Sequence, residues 1–152
     1  MNEYLRLGKW TISVPVALTG FLGYFLYLPR FDTEALLVLS GVFLLSLGSS
    51  ALNQIQERHI DSMMERTSGR PLPSGSITLQ GAIIFTILTS LSGTALLLLT
   101  GSLMAAAIGL FTLAWYNLVY TPLKRVTAFA VLPGALIGAM PPLIGWSAAG
   151  GH

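Results

Sequence analysis

The chain has 152 residues, of which 53% are hydrophobic and only 9% are charged. Soluble domains carry about 25% charged residues, so this composition excludes an ordinary water-soluble globule. Eight basic and six acidic residues give a net charge of +2, which is too sparse for a nucleic-acid-binding surface. The absence of cysteine excludes disulfides, a thiol nucleophile and a thiolate metal site. The composition therefore predicts a single integral membrane domain over residues 1–152, embedded in a lipid bilayer.

Five segments without a charged residue are long enough to cross a bilayer, for which a helix needs about 17–25 residues. They cover residues 10–28, 35–52, 77–99, 103–119 and 128–149. Helices are the expected form because lipid offers backbone groups no hydrogen-bond partner, and strand-like alternation is absent. We predict an all-α integral membrane fold with about five transmembrane helices.

The basic residues indicate the orientation of these helices. Seven of the eight fall on one side of the predicted membrane: Arg6, Lys9, Arg58, Arg66, Arg70, Lys124 and Arg125. Only Arg30 falls on the other side, beside Asp32 and Glu34. The positive-inside rule therefore predicts a cytoplasmic N-terminus and cytoplasmic loops at residues 53–76 and 120–127, in a cell inner membrane.

The segment that follows the second apolar stretch carries six of the fourteen charges of the chain. If that helix continues, Asn53, Glu57 and Asp61 lie four residues apart and form one polar stripe, which Glu65 extends by a turn. Like charges at this spacing repel, and no basic residue follows Glu57 or Asp61 by four positions. A bound divalent cation would relieve the repulsion, and oxygen ligands of this kind suit magnesium. The alternative is a solvated loop helix whose charges only mark topology.

The residues after the stripe favour a site that binds a diphosphate. Gly69, Pro71, Pro73 and Gly75 break the helix and should hold Arg66 and Arg70 close to the carboxylates. Arginine forms forked, charge-assisted hydrogen bonds with phosphate oxygens. In the second cytoplasmic loop, Tyr120 and Lys124 can reach the same site, whereas we interpret Arg125 as a plain membrane anchor.

These motifs resemble the UbiA-type membrane prenyltransferases. The string NQxxExxxD over residues 53–61, with MxRTxxRPLPSG over 64–75, is similar to the first aspartate-rich motif of that family. The pairing of Tyr120 and Lys124 matches its YxxxK motif. The nearest subgroup is protohaem IX farnesyltransferase, because Gln54 and Glu57 and the PPLIGW string at 141–146 are similar to it.

The resemblance implies a metal-assisted prenyl transfer. Asn53, Glu57 and Asp61 would be the catalytic metal ligands for Mg²⁺, holding farnesyl diphosphate. Arg66, Arg70, Tyr120 and Lys124 would bind the diphosphate. The acceptor would be haem or another hydrophobic molecule, and the subgroup implies protohaem IX. The runner-up acceptor is an aromatic or lipid quinone precursor.

The resemblance covers only part of the family pattern. Family members have about nine helices and a second aspartate-rich motif, and no acidic residue follows Glu65 here. The chain therefore resembles the N-terminal half of such a bundle, as a fragment, a truncated product or one part of a split enzyme completed by a second chain. An inactive membrane protein or half-transporter is the alternative of another class.

Overall fold

The computed structural model describes residues 2–151 and arranges them as helices joined by short turns. The elements are α1 (Glu3–Leu7), α2 (Trp10–Tyr27), α3 (Thr33–Met63), α4 (Glu65–Ser68), α5 (Leu79–Leu99), α6 (Leu103–Ala114), a π-helical turn (Trp115–Tyr120), α7 (Thr121–Leu123), a 3-10 turn (Ala128–Ala130) and α8 (Val131–Ala148). α6, the π-helical turn and α7 form one continuous helical stretch (Leu103–Leu123), and the 3-10 turn continues into α8 (Ala128–Ala148). With these and α2, α3 and α5, five stretches are long and apolar enough to span a membrane, which confirms the predicted all-α membrane fold.

The second membrane helix is longer than its apolar core. α3 begins at Thr33 and continues through the charged residues to Met63, so the predicted polar stripe is helical. It ends there because Met64 has an extended backbone, with φ −104° and ψ 123°. Glu65 consequently starts the separate short helix α4 and is exposed. The prediction that Glu65 extends the stripe is wrong, because the chain changes direction one residue before it.

Two pairs of helices approach closely at glycines. On α8, a Cβ atom at Gly145 would overlap the carbonyl oxygen of Gly20 on α2. On α5, a Cβ at Gly93 would lie 2.8 Å from the carbonyl oxygen of Gly41 on α3. Small residues at such contacts let membrane helices pack backbone to backbone, which compensates for the missing hydrophobic driving force within lipid. These contacts fix α2, α3, α5 and α8 around the centre of the bundle.

The α2–α3 connection is fixed by a buried tyrosine. The Tyr24 side chain is fully buried, and its hydroxyl donates a hydrogen bond of 2.9 Å to Asp32 Oδ1. The same Asp32 oxygen caps α3 by accepting from the backbone N–H of Ala35 at 2.9 Å. That backbone N–H, together with the Tyr24 hydroxyl, holds the pKa of Asp32 below its usual range. Tyr24 therefore ties the end of α2 to the start of α3.

Removal of this hydroxyl should destabilise the bundle. We expect Tyr24→Phe to lower the melting temperature in detergent by roughly 5 °C, because a hydrogen bond to a charged carboxylate is lost and Asp32 keeps only its backbone partner. Tyr27→Phe is the matched control, since the Tyr27 side chain is 45% exposed and packs edge-on against Trp146. Equal melting temperatures for the two variants would contradict a structural role of the Tyr24 hydroxyl.

The fourth membrane stretch changes its helical pitch near the charged end. α6 passes into the π-helical turn, within which Asn117 is buried. Asn117 Nδ2 donates to Ser49 Oγ on α3 at 2.9 Å, so the turn is tied to the helix that carries the acidic stripe. Widened turns of this kind often occur at functional sites because they redirect side chains. Here Tyr116 and Tyr120 stack, with ring centroids 5.5 Å apart.

The last helix contains two adjacent prolines. Pro141 and Pro142 lie within α8 and lack the N–H groups that would bond to the carbonyls of Ile137 and Gly138. The sequence predicts freed carbonyls at this point that a neighbour or a cavity has to accommodate. Ile137 and Gly138 do line a cavity, which is described below.

Candidate active site

The predicted polar stripe is buried inside the bundle. Asn53, Glu57 and Asp61 lie on one face of α3 and are 0%, 8% and 4% exposed. A solvated loop helix would leave these groups in water, so the burial excludes that alternative. A buried charge is costly unless it is paired, and each carboxylate should therefore have a close basic partner.

Each carboxylate of the stripe has a partner from another segment. Arg70 Nη1 donates to Asp61 Oδ2 at 2.6 Å, and Lys124 Nζ donates to Glu57 Oε2 at 3.0 Å. Arg125 Nε lies 3.5 Å from Glu57 Oε1. Arg70 arrives from the turn after α4, and Lys124 and Arg125 follow α7. The chain reversal predicted from the glycines and prolines at 69–75 thus brings Arg70 to the stripe.

Lys9 completes the ring of cations. Its Nζ donates to Asn53 Oδ1 at 3.1 Å. Among the non-glycine residues of the described chain, Lys9 has a left-handed backbone, with φ 51° and ψ 54°. This backbone conformation directs the Lys9 side chain inward at the start of α2. Burial, reinforced by the positive charges of Arg70 and Lys124, lowers the pKa of Lys9 to about 8. Lys9 therefore lies in a poorly solvated position close to two other cations.

Asn53 connects the stripe to the second loop. Its Nδ2 donates to Glu57 Oε2 at 3.0 Å and to Thr121 Oγ1 at 3.1 Å. The Thr121 hydroxyl in turn donates to the Tyr116 carbonyl at 2.9 Å, within the π-helical turn. A buried amide that satisfies three partners fixes its own orientation. Asn53 thereby presents Oδ1 toward Lys9 and holds Thr121, and with it the loop that carries Lys124, against α3.

The site has a surplus of positive charge. Four basic side chains surround two carboxylates, at Glu57 and Asp61: Lys9, Arg70, Lys124 and Arg125. The surplus of about two charges matches a polyanion such as a diphosphate, whose oxygens can replace the carboxylates as hydrogen-bond acceptors.

The oxygen ligands also suit a hard divalent cation. Asn53, Glu57 and Asp61 offer one amide and two carboxylate groups on successive turns of α3. Mg²⁺ typically takes one or two carboxylates and completes its octahedron with water and substrate phosphate oxygens. Within residues 2–151 no three His, Asp or Glu side chains converge as a ready-made metal cluster. One amide and two carboxylates leave coordination positions that water and phosphate oxygens can fill.

The other residues predicted from the sequence lie at different distances from the stripe. Arg66 is exposed on α4 and makes no ion pair with the stripe within the described residues. Tyr120 is half-buried, and Lys124 Nζ lies 5.7 Å above its ring. Arg125, interpreted from the sequence as a plain anchor, contacts Glu57 and belongs to the site. Lys9 was missed by sequence reasoning, although a lone lysine directly before an apolar helix was a usable signal.

An apolar cavity of about 350 Å³ begins at this site. Lys9 and Tyr116 line its polar end, and Val42, Leu45 and Ile144 line it deeper in the bundle. Val42 precedes Asn53, which belongs to the polar site and not to the lining of the cavity, by eleven positions on α3, or about 16 Å along the helix. The cavity volume lies within the range of about 300–1,000 Å³ typical of small-molecule sites. The arrangement suits a molecule with an anionic head and a long apolar tail.

Comparison with known proteins identifies related sequences. The UbiA prenyltransferase family model matches residues 13–152. The protoheme IX farnesyltransferase of Nitratidesulfovibrio vulgaris strain DP4 is 43% identical over 155 residues, which cover 99% of this chain and 52% of that protein. The protein of the same name from Cytophaga hutchinsonii is 41% identical, with 99% and 54% covered. The chain thus spans about half the length of the curated relatives it matches.

Solved structures share the fold. A digeranylgeranylglyceryl phosphate synthase matches with a TM-score of 0.87 and 24% identity, over 99% of this chain and 53% of its own. A UbiA homologue from Archaeoglobus fulgidus, bound to DMAPP and Mg²⁺, matches with a TM-score of 0.81 and 20% identity, over 99% and 56%. At these identities the likeness establishes the fold, and the matched part is about half of each bundle.

Proposed function

Because this chain belongs to the UbiA prenyltransferase family, we propose that it takes part in transferring a farnesyl group from farnesyl diphosphate to protohaem IX, as in haem O synthesis. The observation that carries this proposal is the buried Glu57–Asp61 pair, surrounded by four cations at the mouth of an apolar cavity. A prenyl diphosphate has both parts that such a site recognises. The names of the curated relatives support a haem acceptor.

We propose Asn53, Glu57 and Asp61 as the residues that hold Mg²⁺. When bound, the metal would neutralise the diphosphate and make it a better leaving group. The Mg²⁺ bound with DMAPP in the Archaeoglobus fulgidus homologue supports a divalent metal at this site. Asn53 has a second role, since its hydrogen bonds to Glu57 and Thr121 keep the ligand face in one orientation.

We propose Arg70, Lys124 and Lys9 as the residues that neutralise the departing diphosphate, with Tyr120 beside Lys124. Preorganised cations of this kind stabilise charge as it develops on the leaving oxygens. Their present partners are Asp61, Glu57 and Asn53, from which they can turn to the phosphate oxygens. Arg66 is exposed on α4, and we propose that its side chain turns toward the diphosphate when the ligand is bound.

The proposed reaction begins with ionisation of the allylic C–O bond, whose electron pair leaves with the diphosphate. The π electrons of an acceptor vinyl group then form the new C–C bond with the farnesyl cation. Water adds to the resulting acceptor cation and loses a proton, which gives a hydroxyethylfarnesyl side chain. The apolar cavity would exclude water from the farnesyl cation until this bond has formed.

The distance from the polar site to the far end of the cavity is consistent with a farnesyl group. At an advance of about 1.3 Å per C–C bond, the main chain of a farnesyl group extends about 14 Å. The distance along α3 from Asn53 to Val42 is about 16 Å, as estimated above. Val42, Leu45 and Ile144 would contact the distal end of the chain.

Binding and product formation test the function separately. The chain in detergent micelles should bind farnesyl diphosphate with Mg²⁺ and lose this binding in EDTA. Membranes that contain the chain together with the segment proposed below to complete the site are then incubated with farnesyl diphosphate and either haem or 4-hydroxybenzoate, and products are identified by mass spectrometry. If 4-hydroxybenzoate gave a product and haem did not, the acceptor would be a quinone precursor rather than haem. Ion transport without diphosphate release would support a transporter instead.

We further propose that the complete site uses a segment beyond the part matched here, on the same polypeptide or on a second chain. The match to about half of each relative and the presence of only two carboxylates in the buried stripe support this proposal. The distribution of basic residues supports a cytoplasmic site and N-terminus in a cell inner membrane.

A role for Lys9 gives a direct prediction. We expect Lys9→Gln to weaken the binding of inorganic diphosphate about tenfold, because a cation that faces the site is lost while glutamine keeps its donor. Isothermal titration of the chain in detergent measures this. Arg30→Gln removes the same charge at the exposed α2–α3 connection, far from the site along α3, and should bind as the wild type does. Equal affinities for both variants would remove Lys9 from the diphosphate site.

A further inference from the structure

Gln54 belongs to the acidic motif, yet the proposed metal and diphosphate site does not use it. Gln54 follows Asn53 directly, and one residue turns a helix by about 100°, so its side chain leaves α3 on a different face. It is 1% exposed, and its Nε2 donates to the backbone carbonyl oxygens of Leu7 at 2.8 Å and of Arg6 at 3.3 Å. Gln54 therefore contacts the end of α1, close before Lys9 in the chain.

Two serines hold the same turn between α1 and α2. Ser13 on α2 is fully buried, and its Oγ donates to the carbonyl oxygen of Gly8 at 3.1 Å. Ser46 on α3 donates to the Ser13 Oγ at 2.9 Å. A Cβ atom at Gly8 would lie 2.6 Å from Leu47 Cδ2, so the turn also packs directly against α3. We call Gln54, Ser13 and Ser46 the turn clamp, because together they hold three successive carbonyl groups of this turn.

The turn clamp determines where the Lys9 side chain lies. A left-handed backbone is unfavourable for a residue with a side chain, and Lys9 has one at φ 51°. Such a conformation persists only where surrounding contacts hold it. If the Lys9 backbone relaxed to the right-handed region, its side chain would leave the chain in another direction. Its Nζ would then no longer lie 3.1 Å from Asn53 Oδ1.

The clamp bonds can oppose this relaxation because they are buried. Leu7 is fully buried, so its carbonyl group has no ready access to water if Gln54 is removed. A buried carbonyl oxygen without a donor is costly, and the three bonded carbonyls therefore favour one path of the chain from α1 into α2. That path is the one that directs Lys9 toward the acidic stripe.

We propose that Gln54 is a positioning residue for diphosphate binding, which acts by holding the turn that directs Lys9 into the site. The identity of the ligand rests on the proposed function. The two adjacent residues of the motif then have separate tasks: Asn53 faces the metal site, and Gln54 fixes the backbone from which a diphosphate-binding cation projects. The clamp makes the cation preorganised, so no binding energy is used to bring Lys9 into place.

Gln54→Met tests the clamp, because methionine is similar in length and lacks the amide donor. We expect it to bind inorganic diphosphate about fivefold more weakly in detergent, measured by isothermal titration, since Lys9 is no longer held in place. Gln56→Met is the matched control. Gln56 is exposed on the same helix, and its Nε2 donates to the Asn117 carbonyl at 3.2 Å, away from α1. Its affinity should stay within about twofold of the wild type.

A double-mutant cycle distinguishes positioning from a general structural effect. In the Lys9→Gln background, Gln54→Met should cause no further loss of affinity, because the cation that Gln54 positions is already absent. A structural role that does not act through Lys9 would give the same loss of about fivefold in both backgrounds. Additive losses therefore overturn the proposal, as do equal affinities of the wild type and Gln54→Met.

A second clamp variant covers a folding defect in Gln54→Met. If Gln54→Met melts at a lower temperature than Gln56→Met, Ser13→Ala replaces it, since this change removes only the bond to the Gly8 carbonyl. Ser13→Ala should bind diphosphate more weakly than the wild type, and this loss should also disappear in the Lys9→Gln background. Persistence of the loss in that background would overturn the proposal.

Failure of the proposed function has a different signature. If the wild type does not bind inorganic diphosphate, the proposed diphosphate site is wrong, and the clamp is tested without a ligand. The chain has no cysteine, so Lys9→Cys introduces a single thiol at the turn. Maleimide should label this thiol at least about threefold faster when Gln54→Met is also present, because the turn opens more often. Equal labelling rates would overturn the clamp itself.

Discussion

The Asp61→Asn variant is expected to bind farnesyl diphosphate about 100-fold more weakly than the wild type in the presence of Mg²⁺. Asp61 is 4% exposed and is one of two carboxylates in the stripe, so the substitution removes half of the negative charge available to the metal at nearly constant shape. Even residues that only orient a metal ligand typically contribute 10–100-fold to metal affinity. Titration of the chain in detergent with and without Mg²⁺ measures the loss.

The ion pair with Arg70 makes this prediction more specific. Arg70 donates to Asp61 at 2.6 Å, and in Asp61→Asn its guanidinium would face a neutral amide. Binding of inorganic diphosphate in EDTA should therefore be retained or become tighter, because the cation is released toward the ligand. A loss of both metal-dependent and metal-free binding would indicate a folding defect rather than a lost metal ligand.

Glu65→Gln is the matched control for Asp61→Asn. Both substitutions convert an acid to its amide, and the two residues are four positions apart in the sequence. Glu65 is exposed on α4, beyond the extended residue Met64. The Glu65→Gln substitution should therefore leave the Mg²⁺-dependent binding of farnesyl diphosphate unchanged. An equal loss in Glu65→Gln would show that net charge near the membrane surface, rather than the buried stripe, controls the affinity.

The sequence was sufficient to predict the membrane helices and the acidic stripe, because both depend on local properties. Transmembrane stretches follow from apolar length, and the alignment of Asn53, Glu57 and Asp61 follows from the helical period. The break at Met64 was not predictable, since no glycine or proline marks it. That break explains why Glu65 leaves the stripe and why Arg66 lies exposed on α4.

The cations of the site were harder to predict because they depend on tertiary contacts. Arg70 could be anticipated from the turn residues that follow α4, and Lys124 from its spacing to Tyr120. To predict Lys9 as a site residue, one has to know that the start of α2 lies beside Asn53. Asn53 follows Lys9 by 44 positions in the chain. Arg125 is adjacent to Lys124, and only the structure shows that both approach Glu57. Pairing between separate helices is not encoded in the period of any one of them.

The cavity, like the cations, depends on tertiary contacts that the sequence does not show. Small residues in the apolar helices predict close packing, whereas Pro141 and Pro142 predict freed carbonyls beside a neighbour or a cavity. Gly138 and Gly145 lie on the same helix, yet one borders open space and the other meets the backbone of α2. Their different roles follow from which face of α8 each occupies, and that face is set by the packing of α2 against α8.

This difference leads to the second large expected effect. Gly145→Ala should destabilise the chain by about 3 kcal/mol, because its Cβ would overlap the Gly20 carbonyl oxygen and lie 2.6 Å from the Tyr24 backbone nitrogen. Backbone atoms cannot move aside as a side-chain tip can, so α2 and α8 would have to separate. Thermal unfolding in detergent would show a lower melting temperature, and the farnesyl cavity between these helices would bind its ligand more weakly.

Gly138→Ala on the same helix should behave in the opposite way. Its Cβ enters open space, and alanine favours a helix over glycine by about 1 kcal/mol, so the melting temperature should stay constant or rise. The comparison separates steric overlap from helix propensity, because both variants make the same chemical change in α8. If Gly145→Ala melted at the same temperature as Gly138→Ala, the close α2–α8 contact would be wrong, and with it the shape of the cavity that these two helices line.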